Sequence, residues 1–192
     1  IIIKLMIEIK NLDKSFDGNI ILNNISTKFI QGKTNLIIGQ SGSGKTILLK
    51  CLLGLHIPEN GEIIYDGVSN KKMTDSQKTL LRREMGMVFQ GSALFDSMTV
   101  LENVMFPLKM LTQKDEDEII EKAENAIKRV ELENAQQKLP SELSGGMQKR
   151  VAIARAIVMN PKYLFCDEPN SGLDPKTAII IDNLIQEITK EN

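Results

Sequence analysis

Apolar segments short enough to be strands recur through the first half of the chain. Residues 7–12 alternate apolar and polar side chains, which is typical of a strand with one buried face. The turn sequence DGN at residues 17–19 precedes the apolar residues 20–22, where a second strand is expected. Residues 35–38 are mostly apolar and end at a glycine, which predicts a strand buried on both faces. Further strands are predicted at residues 62–67, 85–89 and 163–166.

A helical period of 3.6 residues is the stronger pattern after residue 91. One face of this segment carries four apolar residues at helical spacing: Ile119, Ala123, Ile127 and Val130. On the solvent side, Glu118 stands four residues before Lys122, which is a favourable pair in a helix. Further helices are predicted at residues 46–53, 147–159 and 176–190.

The order of these elements predicts an α/β fold. A strand, a glycine-rich turn, a helix, a helical insertion and a final strand follow one another, as in a parallel sheet that carries an inserted helical subdomain. We expect one domain over residues 1–192. Its core is predicted at residues 1–90 and about 160–192, and its helical subdomain at about 91–159.

Composition narrows the class of protein. The hydrophobic share of 42% is enough to bury a core, and the net charge of -1 gives no electrostatic footprint for nucleic acid. Cys51 and Cys166 are read as reduced thiols of a cytosolic protein. No apolar run approaches the roughly 18 residues that span a bilayer. The N-terminus lacks the basic region of a signal peptide, and Met6 is the expected start of the protein.

A glycine-rich loop fits the phosphate-binding pattern G-x-x-x-x-G-K-[ST]. It consists of Gly39, Gln40, Ser41, Gly42, Ser43, Gly44, Lys45 and Thr46. Such a loop turns successive N–H groups inward at a helix N-terminus, where the helix dipole also favours an anion. Lys45 is expected to reach the β and γ phosphates, and the Thr46 hydroxyl to bind Mg²⁺. The alternative, a flexible turn, is disfavoured because a predicted strand leads in and a predicted helix leads out.

Two acidic residues follow the predicted strand at residues 163–166. Asp167 and Glu168 lie where ligands bind in open α/β sheets, beyond the carboxyl end of a strand. Asp167 is expected to hold Mg²⁺ through its water shell, and Glu168 to orient the attacking water. A solvated turn before Pro169 explains the same residues equally well in isolation. The phosphate loop upstream favours the chemical interpretation.

Two further motifs identify a family. The sequence LSGGMQ at residues 143–148 resembles the LSGGQ signature of ABC ATPases, with Met147 where glutamine is commoner. The sequence SGLD at residues 171–174 resembles their D-loop. With the phosphate loop and the acidic strand end, four motifs stand in family order. The resemblance implies a P-loop NTPase core with N-terminal antiparallel strands, an ATPase activity, and ATP and Mg²⁺ as ligands.

The resemblance also implies roles for single residues. Ser144, Gly145 and Gly146 would face the γ-phosphate bound by a second copy of the cassette, in a head-to-tail homodimer. Asp174 would lie near that partner's phosphate loop. Taken alone, Ser144 is better explained as a helix N-cap, and Asp174 also reads as a turn residue.

Two more residues match family positions. Gln90 matches the glutamine that touches Mg²⁺ and senses the membrane partner, although it also reads as a polar residue closing a strand. Phe16 matches the aromatic residue that stacks on adenine, with a core phenylalanine as the alternative.

The family's switch histidine has no counterpart in these 192 residues. The only histidine, His56, follows the phosphate-loop helix and is expected to be an exposed loop residue. The expected position of the switch lies one strand beyond Asn192, so we expect the chain to be truncated. Nucleotide binding is still expected. One alternative to an active ATPase is a remnant that binds nucleotide but does not hydrolyse it.

The sequence after Gln90 and the sequence SGGMQKRV at residues 144–151 resemble the ATPase of bacterial Mla-type phospholipid transport systems. That resemblance implies a transmembrane permease, a lipid-binding mammalian-cell-entry protein and a position on the cytoplasmic face of the inner membrane. An apolar group is either a docking groove for a permease helix or part of the helical core: Phe95, Val100, Val104 and Phe106.

Two other functions are alternatives to phospholipid transport. One is a soluble ABC ATPase that acts on nucleic acid or the ribosome, for which neither a coiled-coil insertion nor a second cassette is present in this sequence. The other is an ABC transporter ATPase for another substrate.

Overall fold

The computed structural model describes residues 5–191, with side chains described from residue 7 to residue 190. The predicted extension at residues 1–5 falls almost wholly outside this range, as does Asn192. The described chain forms two compact units, residues 5–82 and 83–191. The predicted division into a core and a helical subdomain remains a prediction.

The first unit is built on antiparallel strands. Strand β1 is Leu5–Phe16, β2 is Asn19–Ile30, β3 is Asn60–Tyr65 and β4 is Val68–Ser69. They pair in the order β2-β1-β3-β4. Helix α1, Lys45–Leu52, follows β2, and helix α2, Asp75–Arg83, follows β4. The strands predicted at residues 7–12 and 20–22 are confirmed and are longer than predicted. The strand predicted at residues 62–67 is confirmed as far as Tyr65, and residues 66–67 form the turn to β4.

Alternation in β1 decides which face is buried. Ile7 and Ile9 are 4% and 1% exposed, whereas Lys10, which points to the other face of β1, is exposed. The period breaks before Leu12, which is fully buried, because the pairing register shifts there. At this irregularity a Cβ on Gly61 would lie 2.3 Å from the Asn11 carbonyl oxygen, so only glycine fits.

Helix α1 supplies the other half of this core. Its buried residues are Leu48, Leu49, Cys51 and Leu52. The Tyr65 hydroxyl of β3 donates a hydrogen bond to the Leu52 carbonyl at the end of the helix. Burial raises the pKa of Tyr65 above its ordinary value. The end of α1 and the end of β3 are therefore tied together.

The strand predicted at residues 35–38 is wrong. The segment has no regular secondary structure and pairs with no strand among the described residues. Leu36 and Ile38 are 78% and 85% exposed. An apolar run becomes a doubly buried strand only when parallel neighbours and covering helices surround it. The first unit offers only its antiparallel sheet, whose four strands are already paired with one another.

The second unit is a helical layer around a pair of parallel strands. Strand β5 is Met85–Val88 and β6 is Tyr163–Cys166, in the register Met85 to Tyr163. Between them lie helices α3 (Val100–Leu111), α4 (Glu116–Arg129) and α5 (Gly145–Ile157). Helix α6, Pro175–Glu191, follows β6. The strands and helices predicted from residue 85 onward are confirmed, with ends shifted by at most two residues.

Local sequence fixes where these helices begin. Thr99 and Glu102 form a reciprocal capping box at the start of α3, and Asp115 caps α4. The predicted pair on α4 is present, with 3.6 Å between Lys122 Nζ and Glu118 Oε1. The four predicted apolar residues of α4 are all buried in the core of this unit.

Helix α5 packs closely on β5 because the strand has a glycine at the crossing. A Cβ on Gly86 would lie 2.3 Å from the Ala156 carbonyl oxygen. The crossing brings the N-terminal half of α5 toward the carboxyl end of β5, where the candidate site lies. None of the helices in residues 5–191 is long and apolar enough to cross a membrane.

Candidate nucleotide site

The glycine-rich loop of the first unit uses left-handed backbone at two of its glycines. Gly42 and Gly44 have φ angles of 78° and 93°, a left-handed region that disfavours other residues. The Ser43 amide donates to the Gln40 carbonyl at 3.2 Å and closes the turn. Gly44 is buried, and a Cβ there would lie 3.1 Å from the Ile21 carbonyl oxygen of β2.

Lys45 and Thr46 begin helix α1 directly after this loop. The Lys45 ammonium lies across the loop, 3.0 Å from the carbonyl oxygens of Gly39 and Gln40. The first turn of α1 carries no acidic side chain, so the positive end of the helix dipole keeps its field. Loop, lysine and helix end together favour a phosphate group.

Phe16 lies at the end of β1, 38% exposed. Its ring meets the His56 ring edge-on with centroids 5.2 Å apart, and Lys14 Nζ lies 4.8 Å from its centroid. The alternative of a core phenylalanine is therefore wrong, while stacking on adenine remains a prediction. His56 is half-buried against Phe16, not an exposed loop residue.

The acidic pair of the second unit lies at the carboxyl ends of its parallel strands. The Asp167 amide donates to the Val88 carbonyl of β5 at 2.9 Å, and its side chain is buried. Glu168 is exposed and has a φ angle of 45°, which is uncommon for a residue other than glycine. A strained backbone at a candidate catalytic carboxylate is typical of functional sites.

Gln90 joins this acidic pair from the end of β5. Its Nε2 donates to Glu168 Oε2 at 3.0 Å and to Ser171 Oγ at 3.3 Å. The amide nitrogen thus faces the carboxylate, which leaves Oε1 as the acceptor for a cation.

Lys149 is a buried cation at the same strand ends, and no sequence pattern predicts it. The side chain is 4% exposed, and its Nζ donates to the Phe89 carbonyl at 3.4 Å and, at closer range, to the Gln90 carbonyl. Burial lowers the pKa of Lys149, and the nearby Asp167 charge partly offsets that. A polar residue in a helix reads as solvent-facing until the packing is known.

The signature residues begin helix α5. Ser144 is its N-cap, with Oγ accepting from the Met147 amide at 3.3 Å, so the capping interpretation is confirmed for Ser144. A Cβ on Gly146 would lie 2.5 Å from Thr177 Cγ2, while Gly145 has more room. Gly146 is therefore required by packing, and contact of these residues with a γ-phosphate remains a prediction.

Asp174 caps helix α6. Its carboxylate accepts from the amides of Lys176 and Thr177 at 3.0 and 3.1 Å, and from Thr177 Oγ1 at 2.5 Å. These hydrogen bonds, the Thr177 hydroxyl first, hold the pKa of Asp174 below its ordinary value. Its proposed place beside a partner's phosphate loop is not tested by these contacts.

The donor atoms suit Mg²⁺ that arrives with a nucleotide. The predicted ligands are the Thr46 hydroxyl, the Gln90 amide oxygen and the Asp167 carboxylate. Within residues 5–191 no three His, Cys, Asp or Glu side chains cluster as an independent metal site. Mg²⁺ is commonly held by one or two carboxylates together with substrate phosphates and water. The oxygen donors of these three residues are of that kind, and their binding of one common ion remains a prediction.

The apolar group after Gln90 divides between the two interpretations. Val100 and Val104 are fully buried in the helical core. Phe95 is 39% exposed, and its ring centroid lies 4.6 Å from that of Phe106. The valines therefore belong to the core, and the phenylalanine pair remains the part that could meet a permease.

Comparison with known proteins follows the motifs. Residues 22–171 match the ABC transporter family. The methionine import ATP-binding protein MetN of Clostridium tetani is 45% identical over 97% of this chain and 58% of its own length. The probable ribonucleotide transport ATP-binding protein mkl of Mycobacterium leprae is 38% identical, over 96% and 53%. The L-cystine import ATP-binding protein TcyC of Bacillus subtilis is 40% identical, over 97% and 76%. The chain spans little more than half the length of the first two.

Solved structures agree with this sequence match. The dimeric structure of the bacterial ABC transporter cassette MJ0796 has a TM-score of 0.87 and 35% identity, covering 97% of this chain and 84% of that one. A dimer of the same cassette in a post-hydrolysis state with ADP and Pi has a TM-score of 0.87 and 34% identity over the same shares. The predicted fold, a P-loop NTPase with antiparallel N-terminal strands and helices, is confirmed.

Proposed function

The chain belongs to the ABC transporter family, and on that basis we propose that it is the ATP-binding subunit of a transporter. It hydrolyses ATP to ADP and phosphate and couples that reaction to transport through a separate membrane permease. The observation that carries the proposal is the hydrogen bond from Gln90 to Glu168 beside the buried Asp167. A carboxylate with that amide partner, exposed at a strand end, is suited to orient a water molecule.

Each residue has one task in this reaction. The loop amides, with Lys45, bind the phosphates and neutralise their charge. Thr46, Asp167 and Gln90 Oε1 are the ligands we assign to Mg²⁺, which offsets the charge that develops on the transferred phosphoryl group. Glu168 accepts a hydrogen bond from the attacking water and so orients it. Phe16 stacks on adenine.

We further propose that two copies act as a head-to-tail dimer. Ser144, Gly145 and Gly146 of one copy would bind the γ-phosphate held by the other, and Asp174 would lie at that interface. The dimers of the MJ0796 cassette support this arrangement. The permease places the subunit at the cytoplasmic face of the membrane.

For the substrate we propose a phospholipid, with a mammalian-cell-entry protein as a further partner. The sequence SGGMQKRV at residues 144–151 supports this, because it resembles the ATPase of Mla-type systems. Import of methionine is the second candidate, because MetN is 45% identical to this chain. Reconstituting the subunit with its permease separates the two: phospholipid stimulates ATP turnover in the first case, and methionine with its binding protein in the second.

ATP turnover by the purified protein with Mg²⁺, beside a Glu168→Gln variant, tests the activity. We expect Glu168→Gln to lower kcat at least about 100-fold, while a fluorescent ATP analogue binds with unchanged affinity. Lys45→Ala is the counterpart that should lose binding. Equal turnover by wild type and Glu168→Gln would exclude the role of Glu168, and loss of analogue binding by neither variant would exclude the phosphate loop.

A further inference from the structure

Lys149 has no role in the reaction described so far. We propose that it is a positioning residue, which fixes the backbone of Gln90 and thereby holds the Gln90 amide against Glu168. The inference rests on the proposed ATPase function and assigns a new residue to the same site. Lys149 donates its hydrogen bonds to the backbone carbonyls of Phe89 and Gln90 and not to a reacting group, so it is not itself catalytic.

The packing of α5 on β5 aims Lys149 at the end of the strand. The two elements cross where Gly86 faces the Ala156 carbonyl. Seven residues back along α5 is about 10 Å, and four residues forward along β5 is about 13 Å. These two steps end at Lys149 and Gln90, and the long lysine side chain covers the remaining gap.

The contacts of Lys149 are of a kind that fixes a backbone. Its ammonium donates to two successive carbonyls, those of Phe89 and Gln90, from a position 4% exposed. A buried ammonium loses its hydration, which costs free energy unless hydrogen bonds replace the water. These carbonyls and the nearby Asp167 charge supply that replacement. Moving residues 89–90 away would leave the ammonium without these hydrogen bonds, so the backbone of this segment is held in place.

A second cation of α5, Arg155, holds the backbone just beyond Gln90. Arg155 donates to the carbonyls of Ser92 and Ala93, both at 2.8 Å. Ser92 and Ala93 have φ angles of 63° and 49°, which such residues adopt only under constraint. Lys149 is the one of these two cations that binds Gln90 itself, so the two should affect Gln90 differently.

A double-mutant cycle with Gln90 tests the assignment. We expect Lys149→Met to lower kcat about tenfold, with KM for ATP changed less than about twofold. In a Gln90→Ala background the same change should lower kcat less than about twofold, because the side chain that Lys149 positions is gone. Full additivity of the two substitutions would overturn the proposal.

Arg150 offers a matched control on the same helix. It donates to the carbonyls of Val130 and Glu131, at 3.1 and 3.2 Å, and not to Gln90. Arg150→Met should therefore combine additively with Gln90→Ala. Lys149→Arg keeps a cation and donors, and we expect it to recover most of the turnover lost in Lys149→Met. If Arg150→Met shows the same coupling as Lys149→Met, the effect is general destabilisation and the proposal fails.

Amide hydrogen exchange provides a readout that needs no ATP turnover. In Lys149→Met we expect the amide of Ser92, which donates to the Phe89 carbonyl at 3.0 Å, to exchange about tenfold faster, with residues 151–157 of α5 unchanged. Unchanged exchange at Ser92 would overturn the positioning role, whatever the turnover. Faster exchange in a protein whose wild type and Glu168→Gln turn over equally would retain the contact and refute the ATPase proposal instead.

Discussion

The side-chain amide of Gln90 lies 3.0 Å from the Glu168 carboxylate, although 78 residues separate the two. The parallel pairing of β5 and β6 produces this contact, because it brings both carboxyl ends to one edge. A residue that follows one strand can therefore orient the carboxylate that follows the other.

Removing this amide should slow hydrolysis without preventing nucleotide binding. We expect Gln90→Ala to lower kcat about tenfold, because Glu168 loses the donor that orients it. Gln77→Ala, at a glutamine of α2, is the control and should leave kcat unchanged. Steady-state turnover and ATP binding are the measurements, and an unchanged kcat in Gln90→Ala would contradict the prediction.

A substitution at Gly146 should be rescued by a second one at Thr177. We expect Gly146→Ala to destabilise the fold by about 2 kcal/mol, because the new methyl group meets Thr177 Cγ2. The hydrogen bond from Thr177 Oγ1 to Asp174 prevents that methyl from turning away. Thr177→Ser removes the methyl and keeps the hydroxyl, so the double variant should unfold near the wild-type denaturant midpoint. A double variant as unstable as Gly146→Ala would show that the clash lies elsewhere.

Substitution by alanine should have very different effects on stability at two glycines of the second unit. We expect Gly86→Ala to lower the free energy of unfolding by about 3 kcal/mol, because its Cβ would meet the Ala156 carbonyl. Gly91→Ala should be nearly neutral, since nothing lies within 4 Å of a Cβ there. Urea unfolding of both variants is the measurement. Equal effects would mean that the close crossing of α5 and β5 is not what requires glycine.

The two cysteines should resist alkylation near neutral pH. Burial raises the pKa of the Cys166 thiol to about 12, and that of Cys51 above its ordinary value. Only the thiolate reacts, so at pH 8 Cys166 should react about a thousandfold more slowly than an ordinary thiol, with the rate rising tenfold per pH unit. Mass spectrometry after iodoacetamide treatment measures this, with urea-unfolded protein as the control. Rapid labelling of folded protein at pH 8 would contradict it.

Local patterns predicted most of the elements. Alternation at residues 7–12 and the helical face of Ile119 to Val130 each follow from burial against one layer, which a period records directly. The strand predicted at residues 35–38 was wrong, because an apolar run indicates which side chains a strand would bury but not whether partner strands exist. Its exposed Leu36 and Ile38 are the result.

The site was predicted by motif but not by contact. The motifs named Gln90, Asp167 and Glu168, and the structure added the hydrogen bond that joins two of them. Lys149 and Asn103 were missed, because polar residues on a helix read as solvated. Asn103 is fully buried and exchanges hydrogen bonds with the Phe95 amide and carbonyl, which closes the loop before α3.

The left-handed backbone of Glu168 sets stability against activity. A glutamate at a φ of 45° costs about 1 kcal/mol that asparagine or glycine largely avoids. Replacing Glu168 with either residue should therefore raise the melting temperature while ending turnover. The side chain that performs the chemistry is, for the fold, a poor choice at its own position. A search for thermostable variants that does not also monitor hydrolysis would select against the enzyme.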